Sequence, residues 1–560
     1  MSPRSASDAA AAKERRHDTE PKGTASRQLE PAARREIEAE YLGRSAENPL
    51  RRGRHARSGS GTPPTRPGLM ARDRWQWAVL AVVLLGATMS ALDATIVNIA
   101  LPTIQDQFHT SLTLVEWVSM AYMIVLALAL PIVGRLADIF GRTRLYNIGF
   151  GIFVLGSALC GVAPGIITLN IARSLQAVGA ALLQANSVAL ITQVFRNRQL
   201  GRALGIQAAV QGTAMALGPF VGAMLITFAG WRLIFFVNVP IGIAGAVAAH
   251  YILPRYHRHR TDVKLDYLGS GLLTVGLMGL VLAVNIAGTS GWASPLILSH
   301  LMLGLLCMGA FVITELLVSN PIIDLRLFRR YTIAGGNITA LLAYYTLFSV
   351  LFLLPFYFEE VLSYSAARTG IMLTAIPLSM AVLSPFVGRA SDRLGSRKFL
   401  VSGSLLLALG SLLLVFAKGT PRPTELVIEM VILGAGLGVF TPANTRATMT
   451  ATPRDKLGMT GGFLNMMRSL GVILGIDISG MVFLAVGGDQ QSHRAAAVLP
   501  GKRGGNALAF IRKQPFMMGF HMVMLTLVGV ALLCALLSFL RKNDRGAAPV
   551  DPAHAEPLGV

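Results

Sequence analysis

The chain has 560 residues, of which 53% are hydrophobic and only 14% charged, and its mean hydropathy is +0.56. A soluble domain needs far less apolar material to fill one core, so the composition predicts a chain that lives in lipid. The net charge of +21 is spread over an N-terminal tail and the short segments between apolar runs. A nucleic-acid reader would gather it on one folded face beside aromatics, so the distribution speaks for bilayer topology and against nucleic-acid binding.

Residues 1–73 are rich in Arg, Ala, Ser, Pro and Glu and show no sustained apolar period. Such a segment buries too little surface to offset its ordering entropy and reads as a disordered, basic cytoplasmic tail. Met70 opens MARDRWQW directly before the first apolar run, which makes it a candidate natural start, with residues 1–69 an extension. That run, Trp77 to Leu101, is long enough to span a bilayer and lacks a small-residue cleavage site, so no removable leader is expected.

A bilayer-crossing helix needs roughly 20 apolar residues. Runs of that kind fall near 77–101, 116–136, 145–163, 166–193, 202–228 and 233–253, then 267–287 and 299–318. Six more follow near 333–356, 369–390, 399–417, 425–446, 460–486 and 515–540, for a total of about fourteen spans by the length criterion. With the N-terminus in the cytoplasm, Arg142, Arg144, Arg196, Arg198, Arg202, the 255–264 cluster, Arg393, Arg397, Lys398, Arg454 and Lys456 all fall on the inner side. The positive-inside rule is then satisfied, and an even span count returns the C-terminus inside. The exception is the hydrophilic stretch 487–514, which carries Arg494, Lys502, Arg503, Arg512 and Lys513 and is expected to face outward. Cys160, Cys307 and Cys534 lie far apart inside apolar runs without metal-ligand spacing and read as inert core thiols, so no metal is expected.

The eleven residues Gly134 to Arg144 read GRLADIFGRTR, and GRASDRLGSRK recurs from Gly388 to Lys398. Each hairpin follows the second span of a set of six, so the sequence predicts an all-α membrane protein built by duplication. Its expected parts are a six-helix bundle over 74–255, two inserted helices over 256–325, a second six-helix bundle over 326–542 and a cytoplasmic tail over 543–560. Transporters built from repeats hold their substrate near the bilayer midplane at the repeat interface.

Several motifs carry a resemblance over residues 75–540. The first span ends LDATIVNIALP, Leu92 to Pro102. GRLADIFGRTR has Ile139 where an Arg usually follows the Asp. Arg173, Gln176 and Gly179 match an RxxQGxG element with Ala177 in place of its first Gly, and Gly218, Pro219 and Gly222 match a GPxxGG element in which Ala214 and Ala223 replace expected glycines. WRLIFFVNVPIG, Trp231 to Gly242, matches the start of helix six. The layout resembles the fourteen-helix drug:proton antiporter branch of the major facilitator superfamily. The resemblance implies two bundles rocking about a central site, in the bacterial plasma membrane, with export of hydrophobic or amphipathic small molecules against protons. It implies a monomer without a cofactor beyond the proton gradient.

A carboxylate at bilayer depth costs about 2.5–3.5 kcal/mol on insertion scales, so an ionisable residue there is a functional candidate. At a rise of 1.5 Å per residue, Asp93 lies about 12 Å from the outer end of the first span, with Arg173 and Asp477 at a similar depth. Asp93, Arg173 and Asp477 are therefore expected to share one level of the cavity, with Gln176 and Asn98 beside them. Protonation of a carboxylate would then alternate with substrate engagement. The alternatives stay open: Asp93 as a hydrogen-bond anchor with Thr95 and Asn98, and Arg173 as a static ion pair. Asp477 stands where a small apolar residue is usual in the similar RxxGxxLGxxI stretch that begins at Arg468. At the hairpins, Asp138 with Arg142, and Asp392 with Arg393 or Arg397, are expected to form a latch that exists only when the inner gate is shut, with Gly134, Gly141, Gly388 and Gly395 allowing the tight turn and close approach.

Glu116, Glu315, Glu359, Glu360 and Glu429 fall near helix ends, where they can snorkel, and Gln184, Asn186, Gln207 and Gln211 either line a polar cavity or tie helices together. No GxxxxGK[ST] loop is present, so the drive is expected from an ion gradient. Export of an endogenous antibiotic, siderophore or lipid competes with drug export. An intramembrane lipid-modifying enzyme is the alternative of a different class, and HExxH and GxSxG are both missing from the chain.

Overall fold

The computed structural model describes residues 69–110, 112–195, 199–254, 265–290, 294–417, 422–486 and 505–541. Residues 1–68 of the expected N-terminal tail, the expected C-terminal tail, the 255–264 cluster and residues 487–504 of the hydrophilic stretch lie outside the described residues, as does the Pro219 side chain, whereas residues 69–73, expected as disordered tail, are helical because they extend the first span. The described chain is helical throughout and forms one compact unit.

The first six spans are α1 (Leu69–Ile96), α3 (Leu112–Phe140), α4 (Arg142–Gly161), α5 (Ile166–Val194), α6 (Leu200–Ala229) and α8 (Asn238–Ile252), with two short helices, α2 (Leu101–Phe108) and α7 (Leu233–Phe236), between them. The inserted pair is α9 (Tyr267–Ser290) and α10 (Pro295–Leu317). The last set is α11 (Tyr331–Phe356), a short α12 (Ala366–Leu373), α13 (Ala375–Leu394), α14 (Arg397–Val415), α15 (Pro423–Thr450), α16 (Leu457–Val486) and α17 (Gly505–Phe539). Among the described residues, thirteen helices are long and apolar enough to cross a membrane, and α6, bent by 47° between Met215 and Phe220, makes a fourteenth. The first run departs from one continuous helix: α1 ends at Ile96 and a 3-10 turn, Val97–Ala100, leads into α2. At the other end, α17 starts at 505 rather than 515, so the last ten residues of the hydrophilic stretch are helical.

Apolar side chains form two large clusters, one centred on each bundle, the first running on into Met449, Leu457, Met466 and Leu470 of the second bundle, and a smaller one around Ile96, Ile104, Trp231 and Phe235. The first core also takes in Leu273, Leu277, Val281 and Phe311 of the inserted pair, and α9 packs against α3 and α16. Large side chains such as Phe220, Phe228, Leu317, Phe386, Phe416 and Leu536 are exposed, as expected for a surface solvated by hydrocarbon.

The bundles meet along two helix pairs, α3 with α16 and α6 with α13. Both α3 and α13 carry an internal proline, Pro131 and Pro385, three residues before the hairpin glycine. A proline removes one ladder donor and bends the helix, so the duplicated hairpins approach their partners in the same way. A Cβ on Gly134 would meet the Gly458 carbonyl oxygen at 2.5 Å, and one on Gly388 would strike the Gly201 carbonyl. Gly141 and Gly395 end the two hairpin helices at φ +95° and +81°, a region that side chains with a Cβ rarely enter.

Overpacking against backbone costs about 1–3 kcal/mol, whereas Gly to Ala in an open helix position gains up to about 1 kcal/mol. Gly134→Ala and Gly388→Ala are therefore expected to lower the melting temperature of the purified protein. Gly151→Ala, where the added carbon meets nothing within 4 Å, is expected to hold or raise it.

Candidate functional site

Asp93, near the end of α1, is fully buried and is the centre of a polar knot in the first bundle. Its Oδ2 pairs with Arg173 Nη1 of α5 at 2.5 Å, while its Oδ1 accepts from Gln176 Nε2 at 2.9 Å and from Asn238 Nδ2 of α8 at 3.0 Å. Gln176 and Asn238 both also donate to Ser157 Oγ of α4, at 2.9 and 3.1 Å. Arg173 has further partners: Nη1 donates to Gln176 Oε1 at 2.7 Å, Nε donates to the Val118 carbonyl at 3.2 Å, and the Tyr122 ring lies 4.2 Å below the guanidinium. One carboxylate thus ties α1, α5 and α8 together, and Ser157 adds α4. A buried pair with this many partners meets the condition under which charge can stay inside protein.

Of the residues expected from the sequence, Asp93, Arg173 and Gln176 are brought together. Asn98 is not: the 3-10 turn after Ile96 carries it to the surface, where it accepts from Ser119 Oγ at 2.8 Å. The anchor role foreseen with Thr95 and Asn98 therefore does not hold, since Asp93 takes its partners from α5 and α8. Asp477 also lies apart. It accepts from Asn285 of the inserted α9 at 3.4 Å, and its Oδ2 is buried without a partner. Counting along α16 gave its depth but not its direction, and it turns to the insert rather than to the first-bundle knot. Asn238, Ser157 and Tyr122 escaped the sequence reading. Asn238 had a signal, a lone amide in the apolar WRLIFFVNVPIG run.

Between the bundles, α1 and α6, with Ala381 of α13, line an open apolar pocket of about 480 Å³ whose walls include Thr88, Leu92, Val210, Thr213 and Leu217. Gly218 and Gly222 pack α6 against the end of α1, where an added Cβ on Gly222 would meet Ile99 at 2.6 Å. Backbone closeness at this element thus survives the replacement of two glycines by Ala214 and Ala223.

The two hairpins close one end of the molecule. Asp138 accepts from Arg142 Nη2 at 2.8 Å, and from the backbone N–H groups of Gly458 and Met459 at the start of α16, at 3.0 and 2.8 Å. Arg142 itself donates across the bundle interface to the Arg454 carbonyl at 3.0 Å. In the second hairpin, Asp392 accepts from the N–H groups of Gly201 and Arg202 at the start of α6, at 2.9 and 3.3 Å. Its guanidinium partner is neither Arg393 nor Arg397 but Arg446 of α15, at 2.9 Å. Arg393 is exposed, and Arg397 lies over the Phe539 ring at 4.5 Å. The repeat explains the correction. The position four residues after Asp138 is Arg142, whereas four residues after Asp392 stands Ser396, which instead accepts from Arg446 Nη1 at 3.2 Å. Each carboxylate therefore caps a helix N-terminus in the opposite bundle, where unsatisfied N–H groups and the helix dipole both favour an anion.

A model of the Major Facilitator Superfamily matches residues 83–335 and again 336–559. The riboflavin transporter RibZ of Clostridioides difficile is 32% identical over 430 residues, 76% of this chain and 92% of the relative. The multidrug resistance protein Stp of Mycobacterium tuberculosis is 33% identical over 415 residues, 74% of this chain and 77% of the relative. Among solved structures, the human organic anion transporter MFSD10 shares the fold with a TM-score of 0.58 at 14% identity, over 83% of this chain and 99% of that one.

The latch geometry gives an expected outcome. In a background with Cys160, Cys307 and Cys534 replaced by Ser, an Ala208→Cys probe on α6 sits buried among apolar side chains of the opposite bundle. Asp392→Asn, which weakens the cap and removes the Arg446 ion pair, should speed its labelling by a soluble maleimide by about tenfold, the change expected for roughly 1.4 kcal/mol lost from the closed state. Arg393→Gln should leave the rate unchanged.

Proposed function

The chain belongs to the major facilitator superfamily of membrane transporters, and from that premise we propose that it is a proton-coupled exporter of hydrophobic or amphipathic drugs working by alternating access. The Asp93 knot carries this reading: it is a titratable carboxylate sealed in the first bundle with its own counter-ion and with hydrogen bonds to three helices beyond its own through Arg173, Gln176, Asn238 and, indirectly, Ser157. The relationship to a multidrug resistance protein supports the substrate class.

In this reading the hairpin end is cytoplasmic, as the positive-inside rule asks, so the conformation has its inner gate shut. A proton arriving from outside adds to Asp93 Oδ2 and cancels the charge that holds Arg173. Arg173 keeps Gln176 Oε1, the Val118 carbonyl and the Tyr122 ring, so it stays inside while its tie to α1 is lost. Loosening α1 against α5 and α8 biases the first bundle toward rotation. The carboxylates of Asp138 and Asp392 then leave the helix N-termini they cap, and the inner side opens. Loss of the proton to the cytoplasm restores the pair and draws the latch shut after substrate has bound. The latches bias the two states and do no chemistry themselves. Export of an endogenous metabolite is the second reading, favoured by the relationship to a riboflavin transporter.

Reconstituted vesicles with a pH step imposed across the membrane test the proposal. Wild-type protein should move a substrate drug only in sealed vesicles and faster with the acid step. Asp93→Asn should lose that acceleration while still exchanging substrate down its own gradient. Undiminished acid-driven transport in Asp93→Asn would remove this carboxylate from the mechanism.

A further inference from the structure

Arg468 carries a buried positive charge that the cycle above does not use. It stands eleven residues into α16, which begins at Leu457, or about 16 Å along the helix at 1.5 Å per residue. That is close to the middle of a hydrocarbon layer about 30 Å thick. Its exposure is 8%. Nη1 donates to Asn465 Oδ1 at 3.1 Å, Nη2 donates to Thr445 Oγ1, and the guanidinium lies 5.6 Å from the Tyr344 ring centroid. Its Nε is buried with no hydrogen-bond partner.

Arg173, Arg142 and Arg446 each hold a carboxylate. Arg468 has none within 4.0 Å among the described residues, and its partners are a neutral amide, a hydroxyl and a ring. The other acid on its helix, Asp477, lies nine residues further on, about 13 Å along the axis, and faces Asn285. A guanidinium left without a counter-ion inside a bilayer protein is expensive to keep, and the neutral partners answer only part of its fork.

The position of Arg468 says what the charge is for. Its partner Asn465 donates across the bundle interface to the Gln184 carbonyl of α5 at 3.0 Å. Gln184 in turn donates to Ser90 Oγ of α1, and the Ser90 carbonyl accepts from Tyr122 Oη at 3.2 Å. Tyr122 is the ring beneath Arg173. A polar line thus joins Arg468 of the second bundle to the Asp93 knot of the first, through the seam that must part when the molecule changes state.

We propose that Arg468 is the substrate-anchoring residue, and that the compounds carried by this protein bear a carboxylate or similar oxyanion on an apolar body. The planar fork of an arginine matches such a group in two parallel hydrogen bonds. The unpartnered Nε, together with a guanidinium nitrogen released from Asn465 or Thr445, supplies the donors once the seam opens. This rests on the exporter reading and narrows it from drugs in general to organic acids.

The test is equilibrium binding to the purified full chain, measured for anthracene-9-carboxylate, its methyl ester and 9-(aminomethyl)anthracene. Wild-type protein should bind the acid at least about tenfold more tightly than the ester or amine, the scale expected for one charge-assisted pair. Arg468→Gln should erase that preference with ester binding unchanged, and Arg468→Lys, which keeps the charge but not the fork, should retain part of it. Equal binding of acid and ester by wild-type protein, no binding of the acid, or an acid preference that survives Arg468→Gln each overturns the proposal. Should Arg468→Gln fail to fold, the wild-type order and Arg468→Lys decide. Binding needs no gradient, so the two readings separate. A chain that holds the acid through Arg468 but shows no pH-driven transport defeats proton coupling alone, whereas pH-driven transport confined to the amine defeats the Arg468 assignment alone.

Discussion

Two carboxylates that cap helices of the opposite bundle determine what this molecule can do. Asp138 of α3 accepts the first free N–H groups of α16, and Asp392 of α13 accepts those of α6. Each bond crosses the bundle interface, so a rocking of the bundles as proposed would break it whole. The bonds demand near contact of backbones, which is why glycines face each other at 134 and 458 and at 388 and 201. An ion–dipole cap of this kind is worth typically 0.3–1 kcal/mol and up to about 2 kcal/mol when partly buried. That scale holds a gate and still allows it to reopen on a functional timescale, which a seam of large interlocked apolar side chains would not.

The duplication was legible because both hairpins preserve the chemistry of the contact: the Asp, the glycine four residues before it and the glycine three after. The source of the second guanidinium was not, because a repeat constrains its own residues and says nothing of a side chain 54 positions away. Ser396 in the place of Arg142 was the one available clue. The polar residues at bilayer depth stand out for a similar reason: Asp93, Arg173 and Gln176 break apolar runs, and lipid does not tolerate such breaks without a partner. Counting residues gives depth along a helix but not the direction a side chain points, since one residue turns it by 100°. Asp477, expected beside the first-bundle knot, turns instead to Asn285 of the insert. Asn98 was lost differently, to a 3-10 turn that follows Ile96 and changes the phase of everything after it.

Four arginines of low exposure fall into two kinds. Arg173, Arg142 and Arg446 are neutralised where they stand, and in the exporter reading their carboxylates are the groups whose protonation or displacement changes the state of the protein. Arg468 is solvated by neutral groups only. A fully compensated pair can store a proton event but has nothing left for a ligand, while an under-compensated cation can receive a ligand but cannot signal a proton. The polar line through Asn465, Gln184, Ser90 and Tyr122 puts one of each kind at the two ends of a relay of hydrogen bonds that crosses the bundle interface and ends in the ring contact of Tyr122 with Arg173. Coupling between proton and solute needs no closer contact than that, provided the path breaks when the bundles separate.

The inserted helices make the two sides of the interface unequal. α9 packs on α3 and α16 and offers Asn285 to Asp477. The segment that leaves α10 is pinned at the same place: Glu315 accepts from the N–H groups of Ile322 and Ile323 at 3.2 and 3.4 Å, Asp324 pairs with Lys456, and Arg330 donates to the Ala451 carbonyl at 3.1 Å. The start of α16 is therefore held from two directions, by Asp138 of the first bundle and by the chain that follows the insert. The α6/α13 side has the Arg446 ion pair in place of any such strap, and the open apolar pocket lined by Leu92, Val210, Leu217 and Ala381 lies there. In the exporter reading, fewer of the bonds seen among the described residues must break on the α6/α13 side, so that side is expected to open first, and the insert turns the two latches into an ordered pair.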